Sequence, residues 1–209
     1  MNPNLFFTPT DILLPAHADM RRWSVIACDQ FTADAGYWQA VQDTVGDAPS
    51  TLRLMLPEFY LGKCDEAAAT REIQQTMRRC LDDGVFRTVP HSLVLVQRTL
   101  PGGAVRCGIV GALDLEAYDY APDSVTPIRA TEGTVASRLP ARVRIRAAAA
   151  LEMPHIMVFY SDPEDTIRRE AQAAAGETLY DFDLMSGGGH VRGLRIAGAK
   201  ADALAARLC

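Results

Sequence analysis

Lysine is almost missing from this 209-residue sequence: Lys63 and Lys200 are two of 21 basic residues, which leaves 19 arginines. Arginine is therefore partly a compositional habit here, and a cluster of it is not by itself a binding site. The five cysteines (Cys28, Cys64, Cys80, Cys107, Cys209) form no Cys-x-x-Cys pair. Their odd number and wide spacing disfavour a zinc ribbon or a disulfide framework and suit a reducing compartment, so they read first as small buried hydrophobes. No apolar run approaches bilayer-spanning length, and no charged leader with an apolar core opens the chain. A cytoplasmic protein without membrane contact is expected. Neither a Walker A string nor a dinucleotide fingerprint is present. Excess positive charge is lacking as well: 26 acidic residues against 21 basic ones give a net charge of -5, which argues against nucleic-acid binding.

What is present is a globular composition, 48% hydrophobic and 22% charged, long enough to bury a large core. Basic charge gathers between Pro127 and Arg146, where Arg129, Arg138, Arg142, Arg144 and Arg146 accompany a single acid, Glu132. Guanidinium groups this close repel one another unless something anionic sits among them, and each fork matches carboxylate or phosphate oxygens two at a time. The alternation Arg142, Val143, Arg144, Ile145, Arg146 fits a strand with Val143 and Ile145 on the core. Four-residue spacing of Arg138, Arg142 and Arg146 fits a helix instead, although Pro140 argues against an unbroken one. Either geometry gathers at least three arginines on one side, as a solvated face or as an anion site.

Taken in order, Asp11–Pro15 and Trp23–Cys28 read as strands, the second ending in Asp29, where a polar group at a strand's carboxyl end can meet a ligand. A helix capped by Thr32 is predicted over 33–45, with Gly46 as its stop, and a second one over 65–83 before Gly84. Between them, Leu52, Leu54 and Leu56 alternate like a strand that ends at Pro57. The runs 91–99 and 105–115 flank Pro101-Gly-Gly103 as a hairpin, with Gly108 and Gly111 marking a bulge or a close backbone approach. Tyr118 and Tyr120 read as lids on the core. Pro154–Tyr160 is a near-continuous apolar strand with His155 at its edge, followed by a helix opened by Asp162. Leu179–Leu184 and Val191–Ile196 form another strand pair. Between them Gly187, Gly188 and Gly189 expose successive amides that could cradle an anion beside His190 and Arg192, or make only a flexible tip. Ala199–Cys209 is a short helix. The fold class expected is α+β: a mixed, largely antiparallel sheet with a central hairpin, flanked by helices, in one domain over 1–209.

The strings W-S-V-I-A-C-D-Q-F-T (23–32), G-D-A-P-S-T-L (46–52), L-P-E-F-Y-L (56–61), I-R-A-T-E-G-T (128–134), P-H-I-M-V (154–158) and Y-D-F-D-L-M-S-G-G-G-H (180–190) resemble the domain-of-unknown-function-1015 family. That family is similar to the ParB and sulfiredoxin group, which includes nucleotide-dependent kinases of free serine. The resemblance implies phosphoryl chemistry on a small metabolite, with ATP or ADP and Mg as cofactors. Arg129, Thr134 and Arg142 would hold phosphate, Asp29 and Glu132 would orient a metal or a substrate hydroxyl, and Gly187–His190 would cradle an anion. Family members are about twice as long and carry a Gly-Asp-Gly-Asn-His loop that is not found here. The chain thus resembles an amino-terminal half, expected to bind a phosphorylated metabolite or nucleotide without turnover. A homodimer, or association with a separately encoded carboxyl-terminal half, would complete it. The alternative is a non-catalytic phosphometabolite-binding or subunit-interaction module.

Overall fold

The computed structural model describes residues 5–25, 29–133 and 135–209. In chain order the elements are β1 (Phe7–Thr8), β2 (Thr10–Pro15), α1 (Met20–Trp23), α2 (Ala35–Val45), α3 (Glu66–Asp82), β3 (Phe86–Thr99), β4 (Val105–Val110) and β5 (Ala112–Leu113). After these come β6 (Tyr118–Asp119), β7 (Ile128–Arg129), α4 (Leu139–Arg146), α5 (Thr166–Ala174), β8 (Thr178–Asp183), β9 (His190–Ala197) and α6 (Ala199–Leu208). No described helix is long and apolar enough to cross a membrane.

The long strand β3 is the spine. On one edge β2 covers its first half and β4 its second, on the other edge lies β9, and β8 pairs with β9, all antiparallel. Leu93 and Leu95 point to one face, where they meet Ile196 of β9 and the apolar stripes of α5 (Ile167, Ala171) and α6 (Ala201, Leu204, Ala205). The β3–β4 hairpin closes through Pro101-Gly-Gly103, with Gly103 at φ 83. Gly111 lets β5 approach β1, because a Cβ there would lie 2.6 Å from the Phe7 ring. The predicted α+β architecture with its central hairpin is the observed one.

Helix α2 is capped by Asp34, whose carboxylate accepts from the Tyr37 amide, rather than by Thr32. Helix α3 is capped by Asp65 through the Ala67 and Ala68 amides. These helices bury two further clusters. Trp38, Val41, Val45 and Met55 form one, and Trp23, Leu54, Ile73, Met77, Cys80 and Ile145 form the other, with Trp23 edge-on to Phe86.

Three local expectations are overturned, and one open alternative is decided. Residues 51–53 make a 3-10 turn rather than a strand, because Ser50 caps it by accepting from the Leu52 amide, which sends Leu54 and Met55 into different clusters. Trp23 closes helix α1, capped by Asp19, instead of opening a strand; residues 26–28 of that stretch, Cys28 among them, lie outside the described residues. Arg142–Arg146 belong to helix α4, not to a strand. Pro140 falls in the helix's first turn, where its missing N–H does least harm, and Arg138 lies in the preceding 3-10 turn. Ala141 and Ile145, four apart, are buried, while Val143 is exposed. Finally, residues 155–160 have no strand partner among the described residues.

Candidate functional site

Helix α4, the loops carrying β6 and β7, and the extended segment 153–161 enclose an open cleft of about 1070 Å³. Asp29, Arg129, Glu132 and Arg142 all line it, although they come from three separate stretches of the chain. Arg142 Nη2 lies 2.7 Å from Glu58 Oε1 and 3.7 Å from Asp29 Oδ2. The Glu58 side chain is only 7% exposed, and the Arg142 guanidinium pairs with it there.

The other arginines of α4 also meet acids. Arg144 Nη2 donates to Glu66 at 2.5 Å, and Arg146 pairs with Glu152 while donating to the Pro154 carbonyl at 2.9 Å. Repulsion within the cluster is thus relieved by the chain's own carboxylates. Arg129 differs: its Nε donates to the Thr126 carbonyl at 3.0 Å, and among the described residues its guanidinium meets no carboxylate.

The glycine loop sits elsewhere. Gly187, Gly188 and Gly189 form the tip between β8 and β9 and do not line the cleft, nor does His190. Leu184 N–H donates to the Gly189 carbonyl and Gly188 N–H to Met185, so the loop is closed on itself. Gly189 has φ 92, and a Cβ there would stand 2.1 Å from the Thr99 carbonyl oxygen; close packing accounts for a glycine at that position without a ligand. His190 lies between Asp183 (Nδ1, 2.8 Å) and Asp181 (Nε2, 2.7 Å), and Arg192 also leans on Asp181. The hydrogen bond to Asp183, assisted by Asp181, raises the His190 pKa above its ordinary value. Thr134 lies outside the described residues.

Tyr118 and Tyr120, read from sequence as core lids, line the cleft together with His155. Tyr118 and Tyr120 are exposed rather than core lids, because the β6–β7 ladder that holds Tyr118, with Tyr120 just beyond it, stands apart from the main sheet. Glu58 was given no role from sequence; the only signal was its place as an acid between apolar neighbours in Leu56–Leu61. Burial pushes the Tyr160 phenol pKa up, with Asp162 and Asp165 adding to it, so this cleft residue stays a hydrogen-bond donor.

Residues 9–208 match the family described as "Protein of unknown function (DUF1015)". The chain belongs to the DUF1015 family. No curated protein and no solved structure matches it. DUF1015 membership carries no assigned reaction, so any chemistry must be argued from the cleft. Among the described residues no group of three or more His, Cys, Asp or Glu stands together as a metal-ion site. The Asp29 carboxylate leans toward Arg142 instead.

Proposed function

We propose that the cleft of this DUF1015 chain binds a small phosphate-bearing metabolite or nucleotide and that this chain alone does not turn it over. The observation that carries this reading is Arg129, a cation that meets no carboxylate among the described residues, sharing one cleft with Arg142 and Asp29. Arg129 and the part of the Arg142 fork not turned to Glu58 offer donors for phosphate oxygens. Tyr118, Tyr120 and the apolar wall 156–160 offer stacking and apolar contact for a base or side chain. Asp29 and Glu132 stand where a hydroxyl or ammonium group of the same ligand would find an acceptor. Similarity to the ParB and sulfiredoxin group, with its serine kinases, makes phosphoryl transfer the reaction class to test, and the four described cysteines, all free, suit a cytoplasmic setting.

Because Arg142 is already shared with carboxylates, binding is expected to be weak. Ligand at about 100 times its Kd stabilises the fold by about 2.7 kcal/mol, which for this length raises Tm by about 5 to 10 °C. Calorimetry and thermal shift with ADP, ATP, pyrophosphate and phosphoserine test this. Arg129→Ala is expected to abolish the shift and the solvated Arg71→Ala to leave it intact. No shift with any of the four, or equal loss in both variants, rejects the reading. Phosphate transfer to serine by the isolated chain would reject its non-catalytic part.

A further inference from the structure

Every free edge of the main sheet carries charge: Asp11 on β2, Arg106 on β4, Asp181 and Asp183 on β8. Such charges keep exposed strand edges from pairing with other chains. Residues 153–161 have no such guard. The stretch Met-Pro-His-Ile-Met-Val-Phe-Tyr-Ser contains no Asp, Glu, Lys or Arg, yet Ile156 is 59% exposed, Met157 78% and Phe159 76%. It is rich in strand formers. Among the described residues, no hydrogen bond engages the backbone N–H or C=O groups of 155–160. An apolar surface alone could be covered by many things, but a row of unpaired backbone donors and acceptors is answered by another strand.

We infer that residues 155–161 form the centre of a twofold antiparallel interface between two copies of this chain. Charge and hydrogen bonding both make the segment its own complement. Pro154 and Pro163 bracket the pairing window, and pairing about Val158 sets Ile156 opposite Tyr160, Met157 opposite Phe159, and Val158 opposite itself. Aromatic and β-branched pairs of this kind stabilise a ladder, and no like charges oppose each other. A twofold contact uses the same patch on both copies and therefore closes at two. This inference stands on the unpaired segment and does not depend on what the cleft binds.

Sedimentation velocity of the full chain from low to high micromolar concentration is expected to show a monomer giving way to a dimer of finite size. Amides 156–160 should gain protection from hydrogen exchange only where the dimer is populated. Val158→Lys and Val158→Glu each place like charges face to face on the axis and should weaken the dimer at least about tenfold, or about 1.4 kcal/mol. An equimolar mixture of the two sets Lys against Glu and should recover most of the association. Should either variant lose the native circular dichroism spectrum, Met157→Glu, at the most exposed position of the segment, replaces it with the same expected weakening. A chain that stays monomeric throughout, open-ended aggregation without a dimer plateau, a dimer untouched by the substitutions, or a mixture no better than its components overturns the inference.

Discussion

Leu93 and Phe159 are both apolar residues in extended backbone, but Leu93 is fully buried and Phe159 is 76% exposed. The strand around Leu93 has neighbours on both edges and two helices over one face. The segment around Phe159 has no strand neighbour among the described residues and one side open to the cleft. The residues themselves differ little in kind. Burial is thus a property of available partners more than of hydrophobicity, and along 155–160 those partners are missing among the described residues.

The largest effect should separate these two positions directly. Leu93→Ala opens a cavity against Ile196 and α6 and is expected to cost about 2 to 5 kcal/mol in urea denaturation, while Phe159→Ala in the monomer should stay within about 0.5 kcal/mol. Equal losses would mean that the 155–160 segment is packed after all. A smaller effect tests the charged wall of the cleft. Arg142→Ala leaves the nearly buried Glu58 carboxylate without this guanidinium and is expected to destabilise by about 1 to 3 kcal/mol. Arg144→Ala, facing the more exposed Glu66, should cost less than about 1 kcal/mol. If the order is reversed, the Arg142 and Glu58 pair does not organise the cleft.

The smallest effect concerns the guarded edge. Because the folded state raises the His190 pKa above 6.5, its contribution to stability is complete below that pH and fades as the pH climbs through the raised value. The stability difference between the wild type and His190→Asn should therefore be greatest in mild acid and vanish at alkaline pH. Any difference that grows with pH would show that Asp181 and Asp183 do not hold the imidazolium. Loss of that guard in Asp181→Asn with Asp183→Asn should also let β8 pair between chains, detectable as new self-association at neutral pH.

Much of the scaffold was legible because its signals are local. Asp65 caps α3, Gly46 and Gly84 stop the helices before them, and Pro101-Gly-Gly103 turns the hairpin, each within a few residues of the group it satisfies. Legibility failed where local pattern fitted two structures. Arg142–Arg146 alternates like a strand and also presents Ala141 and Ile145 four apart, and packing against α3 decided for the helix. Leu52–Leu56 alternates too, yet Ser50 satisfies a tight turn there.

By itself the sequence determined the hairpin, the two long helices, the concentration of arginines and the family, since these follow from turn chemistry, period and long motifs. Only the tertiary structure decided that Asp29 and Glu58 reach Arg142, that the glycine loop stands apart from the cleft, and that the 155–160 segment has no strand partner among the described residues. Contacts between residues so far apart in the chain exist only once loops have closed and sheet edges have been filled, and the outcome depends on which edge each segment finds free.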